Sequence, residues 1–233
     1  MNDPLASLEV FERRLDLLDA ELWIIGPPEM TGRLAGPKTR YASTIEIPFY
    51  LQKIPHPDAP AGGQRVLIPE PSLWSPQMPY LYEAKLDLGP LGKAKFAWGF
   101  RRLAWTKDAF RVNGTLAELK AERRSQLTEV DALALREAGI NVVVLPLIDA
   151  AAWDIADRVG MFLIGEVSDR IDLARSLRWH PSALGWILRA EQSAEALRSP
   201  HSITPFLGVD SSGPVPSWAE FTVDAATTSV QHL

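Results

Sequence analysis

Over roughly the first hundred residues apolar and polar positions alternate in short runs; beyond that, continuous apolar blocks alternate with segments of helical period. In Tyr82-Glu83-Ala84-Lys85-Leu86-Asp87-Leu88 every second side chain is apolar, the pattern of a strand with one face buried. Tyr41–Pro48 reads the same way, with Ile45 and Ile47 expected inward. Glu9–Glu12, Leu22–Ile25, Val66–Pro69 and Lys95–Phe100 are further strands. The spacing of Leu8, Phe11, Leu15 and Leu18 also fits a helix, and strand is the reading taken. Ile54–Gly63, rich in Pro and Gly, is a loop, and most of the 19 prolines fall before residue 108. Short strands with turn signals between them predict an immunoglobulin-like β-sandwich over 1–107.

From Asn113-Gly114 onward the texture is that of parallel βα units. Leu116–Ala121 is the expected first strand. Thr128 caps a helix with Asp131 three residues on, and Gly139 ends it. The β-branched run Asn141–Pro146 is a buried strand, and Ala150–Val159 is a helix closed by Gly160. Met161–Ile164 is the third strand, Asp169–Trp179 a helix, and Ala183–Leu188, apolar at every position, the fourth strand. A helix over Gln192–Arg198 and strands at Ile203–Val209 and Phe221–Val223 follow. Only about 120 residues lie beyond Gly114, against the ~250 typical of a complete eight-stranded barrel. The expectation is a multi-domain β and α/β chain, with an incomplete TIM-type (β/α) barrel over 108–233.

Composition narrows the partners. Hydrophobic and charged contents of 46% and 23% are those of a globular protein. A net charge of −5 without a basic cluster argues against nucleic acid. No apolar run approaches the ~20 residues of a membrane span, and the N-terminus lacks the apolar core of a signal peptide, so a soluble, cytoplasmic chain is expected. With no cysteine there is neither disulfide nor thiolate chemistry. His56, His180, His201 and His232 are scattered without metal-ligand spacing, and no phosphate cradle is present, so neither metal nor cofactor is expected.

Two stretches carry a family resemblance. Leu73-Trp74-Ser75-Pro76-Gln77-Met78-Pro79-Tyr80-Leu81-Tyr82, followed by Gly99-Phe100-Arg101 and Phe110-Arg111-Val112-Asn113-Gly114, resembles the junction between sandwich and barrel in family 2 glycoside hydrolases, the β-galactosidases, β-glucuronidases and β-mannosidases. His180-Pro181-Ser182, Trp186 and Glu191 fall in register with that family's acid/base strand, HPS-x-x-x-W-S-x-G-N-E. The resemblance implies a sandwich closed against a barrel, with Trp74 at the junction or, alternatively, stacking on a sugar. It also implies a site at the C-terminal ends of the strands.

Within that frame Glu191 is the candidate acid/base, and Glu166 a second candidate catalytic carboxylate; Trp186, Glu122 and Asn141 are candidate substrate contacts. The departures from the family are concentrated at the chemistry. Arg189-Ala190 stands where the family has Gly-Asn, Val144 where it has an Arg, and Glu122-Arg123-Arg124 where it has Asn-Arg-His. A retaining glycosidase needs a second carboxylate about 5–5.5 Å from the first, and the family's nucleophile strand has no counterpart here. The reading is therefore a non-catalytic or degenerate relative, a carbohydrate-related binding or interaction module. The alternative is an O-glycosyl hydrolase whose second carboxylate comes from Glu166 or another chain. Arg123, Arg124 and Arg189 give the acidic residues at the strand ends a further reading, that of an ion-pair network. An open barrel edge also implies a homo-oligomer.

Overall fold

The computed structural model describes residues 4–55, 59–106, 109–147, 150–168, 170–189, 191–198, 205–211, 215–224 and 228–233. The first half is two facing antiparallel sheets. One has the order β1-β2-β6-β5, from β1 (Glu9–Leu15), β2 (Asp19–Ile25), β5 (Gln52–Lys53) and β6 (Gly63–Pro69). The other has the order β4-β3-β7-β8, from β3 (Thr31–Lys38), β4 (Ile47–Tyr50), β7 (Leu81–Asp87) and β8 (Lys93–Trp98). Alternation does the work expected of it. Ala20, Leu22 and Ile24 of β2 and Val66 and Ile68 of β6 face Leu34, Ala84, Leu86, Ala94 and Trp98 across one core. The segment around Leu15 is a β1–β2 hairpin, not a helix.

One alternation misleads. Ile45 precedes β4 and is 83% exposed, and Ile47 is 51% exposed. β4 is an edge strand shifted toward the C-terminus of the expected one, and its partly covered residue is Phe49. Exposed apolar side chains at an edge mimic the period of a half-buried strand.

The chain leaves the sandwich through a three-stranded sheet, order β11-β10-β9, made of β9 (Leu103–Thr106), β10 (Ala109–Val112) and β11 (Thr115–Ala117). Asn113 and Gly114 make the β10–β11 turn, both at positive φ (53° and 83°) as such a turn requires.

The second half is a seven-stranded sheet in sequential order: β12 (Ala121–Arg123), β13 (Val142–Pro146), β14 (Phe162–Glu166), β15 (Ala183–Ile187), β16 (Phe206–Asp210), β17 (Phe221–Val223) and β18 (Val230–His232). β12 to β17 pair in parallel, and β18 adds to β17 antiparallel. The first parallel strand thus begins at Ala121, where the expected one ends. The helices are α1 (Glu129–Glu137), α2 (Ala151–Val159), α3 (Ile171–Leu177) and α4 (Glu191–Leu197). Thr128 and Asp131 form the reciprocal capping box of α1. Gly160 closes α2 at φ 80°, where the Pro76 carbonyl approaches closely enough to exclude a side chain.

Parallel strands are covered on both faces. Val143, Leu145, Leu163, Trp186, Leu207 and Val209 pack against the helices. Val142, Val144, Phe162, Ile164 and Phe221 pack against Trp74, Phe110 and Val112 on the other face. There Trp105 of β9 stacks on Phe221 (5.7 Å, 19°) and meets Phe110 and Phe206 edge-on. The outer edge of β17, expected to be open, carries β18. Among the described residues no helix is long and apolar enough to cross a membrane.

Candidate functional site

The C-terminal ends of β12, β14 and β16 bring Arg123, Glu166 and Asp210 together. The Arg123 guanidinium is ion-paired with Glu166 and lies 3.4 Å from the Asp210 carboxylate. Glu122, beside it, pairs with Arg124. Both acidic residues proposed from sequence here are thus engaged by arginines, as the ion-pair reading expected. Asp210 was missed because it ends an apolar strand and matches no motif. Its Oδ1 and the Arg123 Nε are shut off from solvent without a partner among the described residues.

Two proposed contacts stand elsewhere. Trp186 is fully buried. Its ring lies 4.9 Å from that of Trp153 of α2 and packs over Gly165, so it is a core residue of the sheet–helix layer and offers no face to a substrate. Period 2 explains this: a register shift between β14 and β15 leaves Trp186 beside Gly165, on the face opposite Ile187 and Glu166. Asn141 precedes β13, at the N-terminal end of the parallel strands and away from Arg123 and Glu166. Its Oδ1 accepts from the Lys120 N–H (2.9 Å) and its Nδ2 donates to the Glu118 carbonyl (2.7 Å), so it fastens the approach to β12. Glu191 is the first residue of α4, directly after β15; its side chain and Ala190 lie outside the described residues.

A second polar cluster sits where the sandwich meets the sheet. His180 Nδ1 is 2.7 Å from Asp157 Oδ2, and the Ser182 N–H donates to Asp157 Oδ1 (3.0 Å). The Asp157 carbonyl accepts from Trp74 Nε1 (2.9 Å). Arg101, buried, donates to the Ala183 carbonyl (2.6 Å) and covers the Trp74 ring at 5.9 Å. Burial pushes the His180 imidazole down, but the charge and hydrogen bond of Asp157, with Asp154 beyond, more than offset it. The ring is held above its ordinary value, with Arg101 opposing. Burial pushes Arg101 down to about 10 against the pull of Asp157 and Glu12.

Ligand atoms of Asp154, Asp157 and His180 lie within 4.8 Å of one another, a juxtaposition not legible from the spacing of the histidines. The trio has the donor types of a cation site. Both Asp157 oxygens, however, are spent on His180 and Ser182, and the Arg101 guanidinium is buried nearby. The set serves the framework better than an ion.

No protein-family model and no curated protein matches the chain. Solved structures do. A glycosyl hydrolase family 2 member from Bacteroides cellulosilyticus is 18% identical with a TM-score of 0.60, over 88% of this chain and 35% of its own. A β-glucuronidase from Lactobacillus rhamnosus is 18% identical with a TM-score of 0.68, over 93% and 46%. A Bacteroides uniformis β-glucuronidase is 19% identical with a TM-score of 0.59, over 88% and 33%. The chain therefore has the fold of the corresponding part of family 2 glycosidases and spans less than half the length of each of these proteins.

Proposed function

We propose that this chain is a non-catalytic relative of family 2 glycoside hydrolases, acting as a carbohydrate-related binding or interaction module. In this reading residues 1–107 are an immunoglobulin-like sandwich and 108–233 a partial (β/α) barrel. Arg123 is the observation that carries it: a glycosidase keeps two carboxylates free to work on a substrate, whereas here Glu166 and Asp210 both lie against one guanidinium. Self-association belongs to it as well, through β12, whose outer edge has no described strand partner.

The second reading is an O-glycosyl hydrolase with Glu191 as acid/base. Its support is the position of Glu191 directly beyond the C-terminal end of β15, where βα-barrels carry their active sites. One experiment separates the two. The purified chain is incubated with aryl β-galactosides, β-glucuronides, β-mannosides and β-glucosides. No release of aryl alcohol is expected. Turnover that disappears in Glu191→Gln would overturn the non-catalytic reading.

A further inference from the structure

Away from the strand ends, the seam between sandwich and helices holds two adjoining cavities of about 470 and 520 Å³, which share Lys95, Phe96, Ala97 and Asp154. β8 forms one wall; α2, α3 and the residues after α3 form the other. Both volumes are in the range of small-molecule sites. The two walls meet in an aromatic contact, Phe96 of β8 stacked on Trp179 with ring centroids 5.1 Å apart at 18°, which covers one face of each ring and leaves both rings partly exposed along the cleft. His180 and Arg178 also line the 470 Å³ cavity. With Nδ1 of His180 committed to Asp157, Nε2 is the ring nitrogen left for a ligand.

Charge decides the ligand class. The cations around the cleft are mostly neutralised within the protein. Lys95 pairs with Glu83 (2.7 Å), Arg175 with Asp172 (3.3 Å), and Arg40 and Arg158 both with Glu129 (2.9 and 3.4 Å). Such a surface exerts little net pull on an anion, yet it presents many oriented donors and acceptors around an aromatic pair. A neutral molecule with C–H faces and a rim of hydroxyls matches it: the faces lie against an aromatic ring while the hydroxyls exchange water for charged partners.

We propose that this cleft binds a neutral saccharide, one face against the side of Trp179 that Phe96 leaves uncovered and its hydroxyls shared among Asp154, Lys95 and His180. The inference rests on the carbohydrate reading above and moves the ligand from the strand ends to the seam. Asp154 is exposed, so Asp154→Asn replaces a charged acceptor by an amide of the same size without emptying the core. Trp179→Ala removes the indole from the cleft, and Arg123→Ala probes the strand ends. Each protein, its fold checked by circular dichroism, is titrated with lactose, cellobiose and mannobiose by calorimetry and ligand-observed NMR. Binding by the wild type that weakens at least about tenfold in Asp154→Asn, falls in Trp179→Ala and persists in Arg123→Ala is the expected result. Binding unchanged in Asp154→Asn, or lost only in Arg123→Ala, would overturn the seam site and leave the carbohydrate reading standing. No binding of any of the three disaccharides by the wild type would overturn both.

Discussion

His180 Nδ1 lies 2.7 Å from Asp157 Oδ2, and through this contact the loop before β15 is fastened to α2. Asp157 is almost wholly buried, and its second oxygen takes the Ser182 N–H. Removing the carboxylate strands a buried N–H and a partly buried imidazole together, and breaking a pair of this kind costs about 3–5 kcal/mol. Asp157→Ala should therefore lower stability by that order, measured by urea denaturation. Asp157→Asn, which still accepts one hydrogen bond, should cost less.

Trp74 should be as sensitive for a different reason. Its ring is fully buried, edge-on to Phe162 at 5.2 Å, and belongs to the cluster beneath the sheet although the residue comes from the sandwich side. Trp74→Ala should cost about 3–5 kcal/mol as a large deletion from a core. Trp74→Phe keeps most of the packing and loses the bond to the Asp157 carbonyl, a loss of about 1 kcal/mol. Melting temperatures of the two variants should fall in that order, and equal values would remove Trp74 from the junction.

The architecture was largely legible because its signals are local. Alternation gave β2 and β7, the Thr128–Asp131 spacing gave the start of α1, and Gly160 gave the end of α2. The motifs around Trp74 and His180 pointed to the glycosidase fold. What escaped depends on which face a residue takes after a register shift, or on distant residues meeting. Trp186 and Glu191 stand in one motif, yet Trp186 turns into the core. Asp210 reaches Arg123 across four intervening strand pairings, which no spacing in the chain announces. β18 was missed for a third reason: Val230-Gln231-His232 is too short to show a period.

Glu12 should make stability decline as pH rises from about 5.5 to 8, a range above that in which the lowered carboxyls of Glu83, Glu129 and Asp131 act in the opposite sense. Burial raises this carboxyl from 4.5 to about 7, only partly offset by Arg102 and Arg101, and its Oε2 has no partner among the described residues. The folded state thus holds the Glu12 proton more tightly than the unfolded chain. That contribution is full below about 4.5 and is lost as pH climbs through about 7. His180 acts in the same sense: its folded value is raised, so its contribution is full below 6.5 and lost above the raised value. Urea midpoints for wild type and Glu12→Gln at pH 5.5 and 8 check this. The wild type should lose more between the two than the variant, and parallel losses would clear Glu12 of the effect.

Gly165→Ala should be destabilising through Trp186. A Cβ at Gly165 would lie 2.7 Å from Cζ3 and 2.8 Å from Cε3 of that indole, closer than carbon atoms pack, with the Trp153 ring 3.4 Å away. The indole has nowhere to retreat, because it is fully buried between β14 and α2. Overpacking of this kind costs about 1–3 kcal/mol. Trp186→Phe would free the space at the expense of a cavity, so the double variant Gly165→Ala/Trp186→Phe should recover part of the loss. The sum of the single effects should exceed the double, the signature of two residues in direct contact. Strict additivity in denaturation midpoints would mean that Trp186 does not lie over Gly165, and would return its indole to the list of side chains available to a ligand.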